Sequence, residues 1–127
     1  MLNTEASRLS KLFEKKCNNC EKDAVPLIHE DIIKYLKQIN EQWIFDKTSK
    51  TISRHFSFPI YSGTIAFVNA VAWIAVKEGH HPVMQIGYGY CDITFTTNAI
   101  NALTENDFIC ASKIDLLIDE GSAYVRL

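Results

Sequence analysis

The hydrophobic pattern of this chain switches repeatedly between a helical period and a period of two, which restricts it to folds that layer helices on a sheet. From His29 to Asn40, Ile32, Ile33, Leu36 and Ile39 form one apolar stripe with Lys34, Lys37 and Gln38 off it, as an amphipathic helix requires. Trp43 either closes that stripe or starts a strand. Trp43 to Asp46 and Thr51 to Phe58, joined by the polar Lys47-Thr48-Ser49-Lys50, read as a hairpin in which Ile52, Phe56 and Phe58 share a face. After Pro59, Phe67, Val71, Ile74 and Ala75 mark a helix from Ile60 to Lys77, and Gly79 is its left-handed C-cap.

The period of two then returns. Met84, Ile86, Tyr88 and Tyr90 alternate onto one face, and Cys91, Ile93, Phe95 and Thr97 alternate with Asp92, Thr94 and Thr96, giving two more strands. Thr104-Glu105-Asn106-Asp107 has the hydroxyl-x-x-acid form of a capping box, and Phe108, Ala111, Ile114, Leu117 and Ile118 continue as a helix. The order is α-β-β-α-β-β-α. Short connections imply antiparallel pairing, so the expected fold is α+β: a four-stranded antiparallel sheet with three helices on one face. The open face and the sheet edges would invite a partner subunit.

Residues 1–26, rich in charge and Asn, read as an N-terminal arm, and residues 27–127 as the domain proper, with Pro26 at the boundary. Ala6, Leu9, Leu12 and Phe13 fit a short amphipathic helix ending near Lys15. Cys17-x-x-Cys20 alone is a weak zinc signal, because a structural site needs four ligands and only His29, His55, Cys91 or Cys110 could complete it. We expect no metal there and read the four cysteines as thiols.

Composition excludes several classes. With 127 residues, 47% of them hydrophobic, the chain can build one real core. A net charge of −2 lacks the basic excess that phosphate-backbone binding needs, so nucleic acid is not an expected ligand. No segment reads as a membrane span, and Met1 to Lys16 resembles neither a secretory signal nor a transit peptide. A cytoplasmic location is the default expectation.

The adjacent pair His80-His81, between a helix end and Pro82, is the most suggestive chemical feature. Imidazole alone titrates near neutrality unperturbed, so two at one site can give and take a proton. The structural alternative is that they cap free carbonyls at the helix C-terminus and interact with its dipole. Pro82 also biases His81 toward extended backbone, so consecutive rings need not point the same way.

Glu78-Gly79-His80-His81-Pro82, Tyr88, Ile93-Thr94-Phe95-Thr96-Thr97 and Leu103-Thr104-x-x-Asp107 together resemble the pterin-4a-carbinolamine dehydratases, also called 4a-hydroxytetrahydrobiopterin dehydratases. The likeness spans about residues 29–119, and the arm with Cys17-Asn18-Asn19-Cys20 is similar to the bacterial form that accompanies phenylalanine hydroxylase. The resemblance implies the same sheet-and-helix fold, assembly with itself as a dimer or dimer of dimers, and a pathway link to an aromatic amino acid hydroxylase. It implies dehydration of a tetrahydropterin bearing a C4a hydroxyl to the quinonoid dihydropterin, with no metal and no other cofactor. One general acid and one general base suffice for that step.

By the same resemblance His80 and His81 are the catalytic candidates, His80 in acid/base exchange and His81 in binding and orienting the pterin. Asn98, Thr97, Tyr88 and Pro82 are the substrate-binding candidates. Two positions depart from the family pattern: its third histidine is Asn98 here, which carries no proton at neutral pH, and the ionisable residue four before the first histidine is Val76. Met84 stands where a bulky aromatic often follows in relatives. Asp107 belongs to the family pattern as well, but the capping box accounts for it, and its expected role is structural. A partly degenerate acid/base set leaves open a non-catalytic protein-binding or pterin-binding role.

Overall fold

The computed structural model describes residues 12–18 and 21–119. Its main elements are α1 (His29–Leu36), β1 (Ile44–Asp46), β2 (Thr51–Ser57), α2 (Tyr61–Glu78), β3 (Val83–Ile86), β4 (Tyr90–Phe95) and α3 (Glu105–Asp119), with 3-10 turns at Leu12–Glu14 and Glu21–Asp23. The strands form one antiparallel sheet in the order β1-β2-β4-β3. This is the α+β architecture that the periodicity predicts.

The sheet buries one face. Ile52 and Phe56 of β2 and Cys91, Ile93 and Phe95 of β4 meet Phe67 and Val71 of α2 and Phe108, Ile109 and Ile114 of α3. Each strand alternates, so Ser53, His55, Asp92 and Thr94 lie on the opposite, more open face. Arg54 keeps the alternation and so carries its charge inward: it is 5% exposed, its Nη1 lies 2.6 Å from Asp115 Oδ1, and its guanidinium packs over Phe56. The same carboxylate accepts from Trp43 Nε1 at 2.7 Å and, through Oδ2, from the Asn40 N–H at 2.8 Å. Asp115 therefore anchors β2, the indole and the exit from α1 at one point.

That anchor explains where α1 stops. The stripe predicts helix through Asn40, but the helix ends at Leu36. The Asn40 N–H is given to Asp115, and the Asn40 side chain accepts from Gln42 N in a local turn, so the chain leaves the helix before Ile39 and Trp43 enter the core. Ile33, expected on the stripe, is exposed. Trp43 lies outside β1 and packs against Phe56 and Phe95.

The end of α2 follows the expectation. Gly79 adopts φ 66°, ψ 27°, its N–H bonds the Val76 carbonyl, and the His80 N–H reaches back to the Ala75 carbonyl at 3.2 Å. This pair of bonds is a Schellman closure. At the other end of α2, Thr64 Oγ1 donates to the Tyr88 carbonyl at 2.8 Å, and Phe58 N–H donates to the Gly89 carbonyl at 2.8 Å. A side chain at Gly89 would place its Cβ 2.8 Å from the Phe58 oxygen, so only glycine lets the β3–β4 turn lie this close.

Of the arm, Leu12 and Cys17 join the core, and the helix expected through Ala6 and Leu9 falls on residues outside those described. Lys15 pairs with Glu105 of α3 at 2.8 Å, and Lys113 Nζ donates to the Phe13 carbonyl. Cys17, Cys91 and Cys110 are free and buried, with the Sγ atoms of Cys17 and Cys110 3.6 Å apart. Hydrogen bonding to Cys17 and burial raise the Cys110 thiol far above its ordinary pKa. Cys20 lies outside the described residues, among which no group of three or more His, Cys, Asp or Glu could hold a metal ion. Nor is any described helix long and apolar enough to cross a membrane.

Asp115→Ala is expected to lower the unfolding free energy by about 3–5 kcal/mol, because it removes the carboxylate that the buried Arg54 guanidinium, the Trp43 indole and the Asn40 N–H share. Urea unfolding followed by circular dichroism measures this, and a loss below about 1 kcal/mol would refute the assigned anchoring role.

Candidate active site

The Schellman closure of α2 turns the chain back on itself, and His80 is delivered into the core at 3% exposure while His81 faces solvent. The two adjacent rings thus have opposite surroundings, in keeping with the bias Pro82 places on its predecessor toward extended backbone. The His80 ring stacks on Phe95, with centroids 5.6 Å apart and planes 8° from parallel.

Both nitrogens of His80 meet a carboxylate. Nε2 lies 2.6 Å from Asp107 Oδ1 on α3, and Nδ1 lies 2.5 Å from Glu21 Oε2 in the arm. Carboxylates accept only, so both ring nitrogens carry protons and the side chain is an imidazolium held by short charge-assisted contacts. Burial alone would lower its pKa, but the hydrogen bond and charge of Asp107, followed by the charge of Glu21, raise it above the ordinary histidine value.

Asp107 is itself fully engaged. It is wholly buried, and its Oδ2 accepts from Thr97 Oγ1 at 2.8 Å and from the Thr104 N–H at 3.0 Å. Thr104 Oγ1 lies 2.8 Å from Thr97 Oγ1 and must donate to it, since the Thr97 proton goes to the carboxylate. The capping box expected at Thr104–Asp107 is thus half realised: the acid reaches back to the Thr104 N–H, but the hydroxyl turns to Thr97. Capping does not exhaust the role of Asp107, because its other oxygen holds His80.

Glu21 is fixed from its own side. Asn106 Nδ2 donates to Glu21 Oε2 at 2.7 Å and to the Asn18 carbonyl at 2.9 Å, while the Asn18 N–H donates to Asn106 Oδ1. Close by, the Cys17 N–H donates to Glu78 Oε1 at 2.9 Å, and Lys113 Nζ lies 3.4 Å from Glu78 Oε2. Burial alone would raise the Glu78 pKa, but these two partners hold it below the ordinary carboxylate range. The arm is therefore clamped to α2 and α3 on either side of the His80 ring.

The other candidates are distributed unevenly. Thr97 is wholly buried with its hydroxyl committed to Asp107 and Thr104, and its N–H bonds the Ala102 carbonyl. Asn98 begins the turn after β4 and is exposed, as is Val76 in the last turn of α2. Pro82 is half-buried and leads directly into β3. Tyr88 belongs to neither strand: it sits in the β3–β4 turn, exposed, stacked on Tyr61 with centroids 6.0 Å apart. Its backbone is tied to Thr64 near the start of α2, whereas His80 follows the helix end, so roughly 20 Å of helix separates Tyr88 from the histidine pair within one chain. The structure does not bring Tyr88 to the site.

Glu21 is the partner of His80 that sequence reasoning missed. Nothing local marks it, since it follows Cys20 in a polar arm and meets His80 only through the tertiary fold. Its carboxylate restores to His80 the acidic neighbour whose expected position is taken by Val76.

Comparison with known proteins agrees with this architecture. Residues 25–117 match the family profile described as pterin 4 alpha carbinolamine dehydratase. A Legionella pneumophila (strain Lens) protein provisionally named pterin-4-alpha-carbinolamine dehydratase is 49% identical over 111 residues, covering 87% of this chain and 98% of the relative. A Nitrosomonas eutropha protein with the same provisional name is 48% identical over 107 residues, covering 84% and 93%. Among solved structures, a transcriptional coactivator/pterin dehydratase from Brucella melitensis superposes with TM-score 0.69 at 27% identity, over 73% of this chain and 98% of that one. A pterin dehydratase-like protein identified as a RuBisCO assembly factor in the alpha-carboxysome gives TM-score 0.54 at 28% identity, over 65% and 93%. The profile match across most of the chain, together with relatives near half identity over almost their full length, establishes that the chain belongs to the pterin-4a-carbinolamine dehydratase family.

Proposed function

We propose that this protein dehydrates a 4a-hydroxytetrahydropterin to the quinonoid dihydropterin, as a step in tetrahydrobiopterin recycling beside an aromatic amino acid hydroxylase. The observation that supports this reading is the pairing of a buried, doubly held His80 with a solvent-facing His81 in the family's His-His-Pro sequence. His81 is the proton-exchanging group. It gives a proton to the C4a hydroxyl, which leaves as water, and takes the proton that N5 releases as the C=N bond forms, so atoms and charge balance. His80 does not exchange protons while Asp107 and Glu21 hold both ring nitrogens. It acts as a positioning residue whose charge and stacking hold the turn that presents His81. Asn98 and the backbone around Pro82 meet the polar edge of the pterin, and Thr97 contributes by orienting Asp107.

A second reading rests on a separate observation. Trp73 and Val76, three residues apart on α2, are 68% and 69% exposed, and Tyr61 adds to the same helix's uncovered apolar surface. An exposed apolar stripe of this kind marks an interaction surface. The occupant we favour is a second copy of the chain, giving a dimer or dimer of dimers. Relatives named as a coactivator and as an assembly factor make protein binding without turnover the competing role.

Generating the 4a-hydroxy substrate and following quinonoid dihydropterin formation tests the first reading. The wild type should exceed buffer, and His81→Ala should lose on the order of 10²–10⁴-fold in kcat. A wild type indistinguishable from buffer removes the enzyme and leaves the binding role. An unimpaired His81→Ala variant instead refutes the role given to His81.

The imidazolium also sets a pH dependence. Its pKa is raised in the folded chain, so its contribution to stability is complete below the ordinary value of 6.5 and is lost as pH climbs through the elevated value. Unfolding free energies measured on either side of neutrality should fall toward alkaline pH in the wild type and fall less in His80→Gln. Glu21→Gln should lower the His80 pKa in a histidine NMR titration, and an unchanged pKa would show that the arm carboxylate does not act on the ring. Trp73→Asp should shift the sedimentation coefficient to a smaller species, and an unchanged value would argue against self-assembly through α2.

A further inference from the structure

A cavity of about 390 Å³ opens between the start of α1, the β1–β2 turn and the loop that follows β4. Neither His80, His81 nor Asn98 lines it. We propose that it binds a small amphipathic anion: an aromatic or branched acyl body that ends in a carboxylate or phosphate group.

The wall and rim differ in chemistry. Leu27, Ile32, Phe45 and Leu103 supply apolar wall, and the rim holds Lys47, Lys50 and His29. No Asp or Glu lines the cavity, and neither lysine pairs with an acid among the described residues. Two neighbouring acids, Asp46 and Asp31, are engaged away from it. Asp46 accepts from Thr48 N at 2.9 Å and Ser49 N at 3.2 Å inside the turn, and Asp31 lines a separate cavity with Lys15 and Lys34. A single-sign rim on an apolar pocket is complementary to an anion with an apolar body.

The cavity is also held in shape. Lys50 at φ 59° and Asn101 at φ 51° are the described non-glycine residues with left-handed backbone, and both line it. Such conformations cost energy and persist where surrounding bonds enforce them. Here Thr96 Oγ1 donates to the Lys50 carbonyl at 2.8 Å, Asn101 N–H bonds the Asn98 carbonyl, and Leu27 N–H bonds the Leu103 carbonyl at 2.9 Å across the cavity floor. His29 and Phe45 rings meet at its mouth, 6.4 Å between centroids. The volume is at the small end of ligand pockets, which run about 300–1,000 Å³, and suits one ring with a short acidic chain.

Titrating the isotope-labelled full chain with phenylbutyrate, with the uncharged phenylbutanol and with inorganic phosphate tests this by amide chemical shifts. Phenylbutyrate should move the amides of Leu27, His29, Phe45, Lys47, Lys50 and Leu103 and bind at least about fivefold tighter than either phenylbutanol or phosphate. The exposed, unpaired lysines can be changed without touching the core, and Lys47→Gln with Lys50→Gln should reduce the margin over phenylbutanol to below about twofold. Equal affinity for phenylbutanol, equal affinity for phosphate, shifts centred on the exposed face of α2, or no shifts in the millimolar range would each overturn the site. These wild-type comparisons decide the matter even if the double variant folds poorly, and none depends on pterin turnover.

Discussion

A positive charge buried between two carboxylates organises this molecule. An ionised side chain in a core is tolerated only when its partners are present and well placed, and removing one of them leaves an uncompensated charge. His80 satisfies that condition with Asp107 from α3 and Glu21 from the arm. Thr97 and the Thr104 N–H fill the second oxygen of Asp107, and Asn106 donates to the same Glu21 oxygen that meets the ring. The arm, the end of α2, the end of β4 and the start of α3 are thereby held at one point. The second buried ion pair, Arg54 with Asp115, does the same on the other side of the core for β2 and the exit from α1.

The backbone explains why two adjacent histidines have separate fates. Gly79 closes α2 in the left-handed conformation, and the bond from His80 N–H to the Ala75 carbonyl turns the next residue inward. Pro82 then biases its predecessor toward extended backbone. One imidazole is spent on structure and charge, and the other remains available to a ligand. The departures at Val76 and Asn98 are best understood against this division. The carboxylate absent from position 76 is replaced by one from the arm, so His80 keeps an acidic partner, whereas nothing among the described side chains returns an imidazole to the position of Asn98.

Much of the architecture was legible in the sequence because its determinants are local. The alternation in β2 and β4, the apolar stripes of α2 and α3, and glycine at the end of α2 each involve residues within a turn or two of one another, and all appear where expected. The misreadings share a cause. The helix predicted through Asn40 stops at Leu36 because Asp115, distant in sequence, takes the Asn40 N–H. Tyr88 continues an apparent alternation but falls in a turn, tied to the far end of α2 from His80.

The sequence by itself determined the order and kind of the elements, the pairing sense of the strands and the family to which the chain belongs, since hydrophobic period, turn chemistry and motif spacing are written along the chain. Only the tertiary structure decided which histidine is buried, which carboxylates hold it and which candidates share a neighbourhood. Those outcomes depend on desolvation and on charges that meet across long sequence separations, and a side chain's protonation and exposure follow from what surrounds it in space rather than from what adjoins it in the chain.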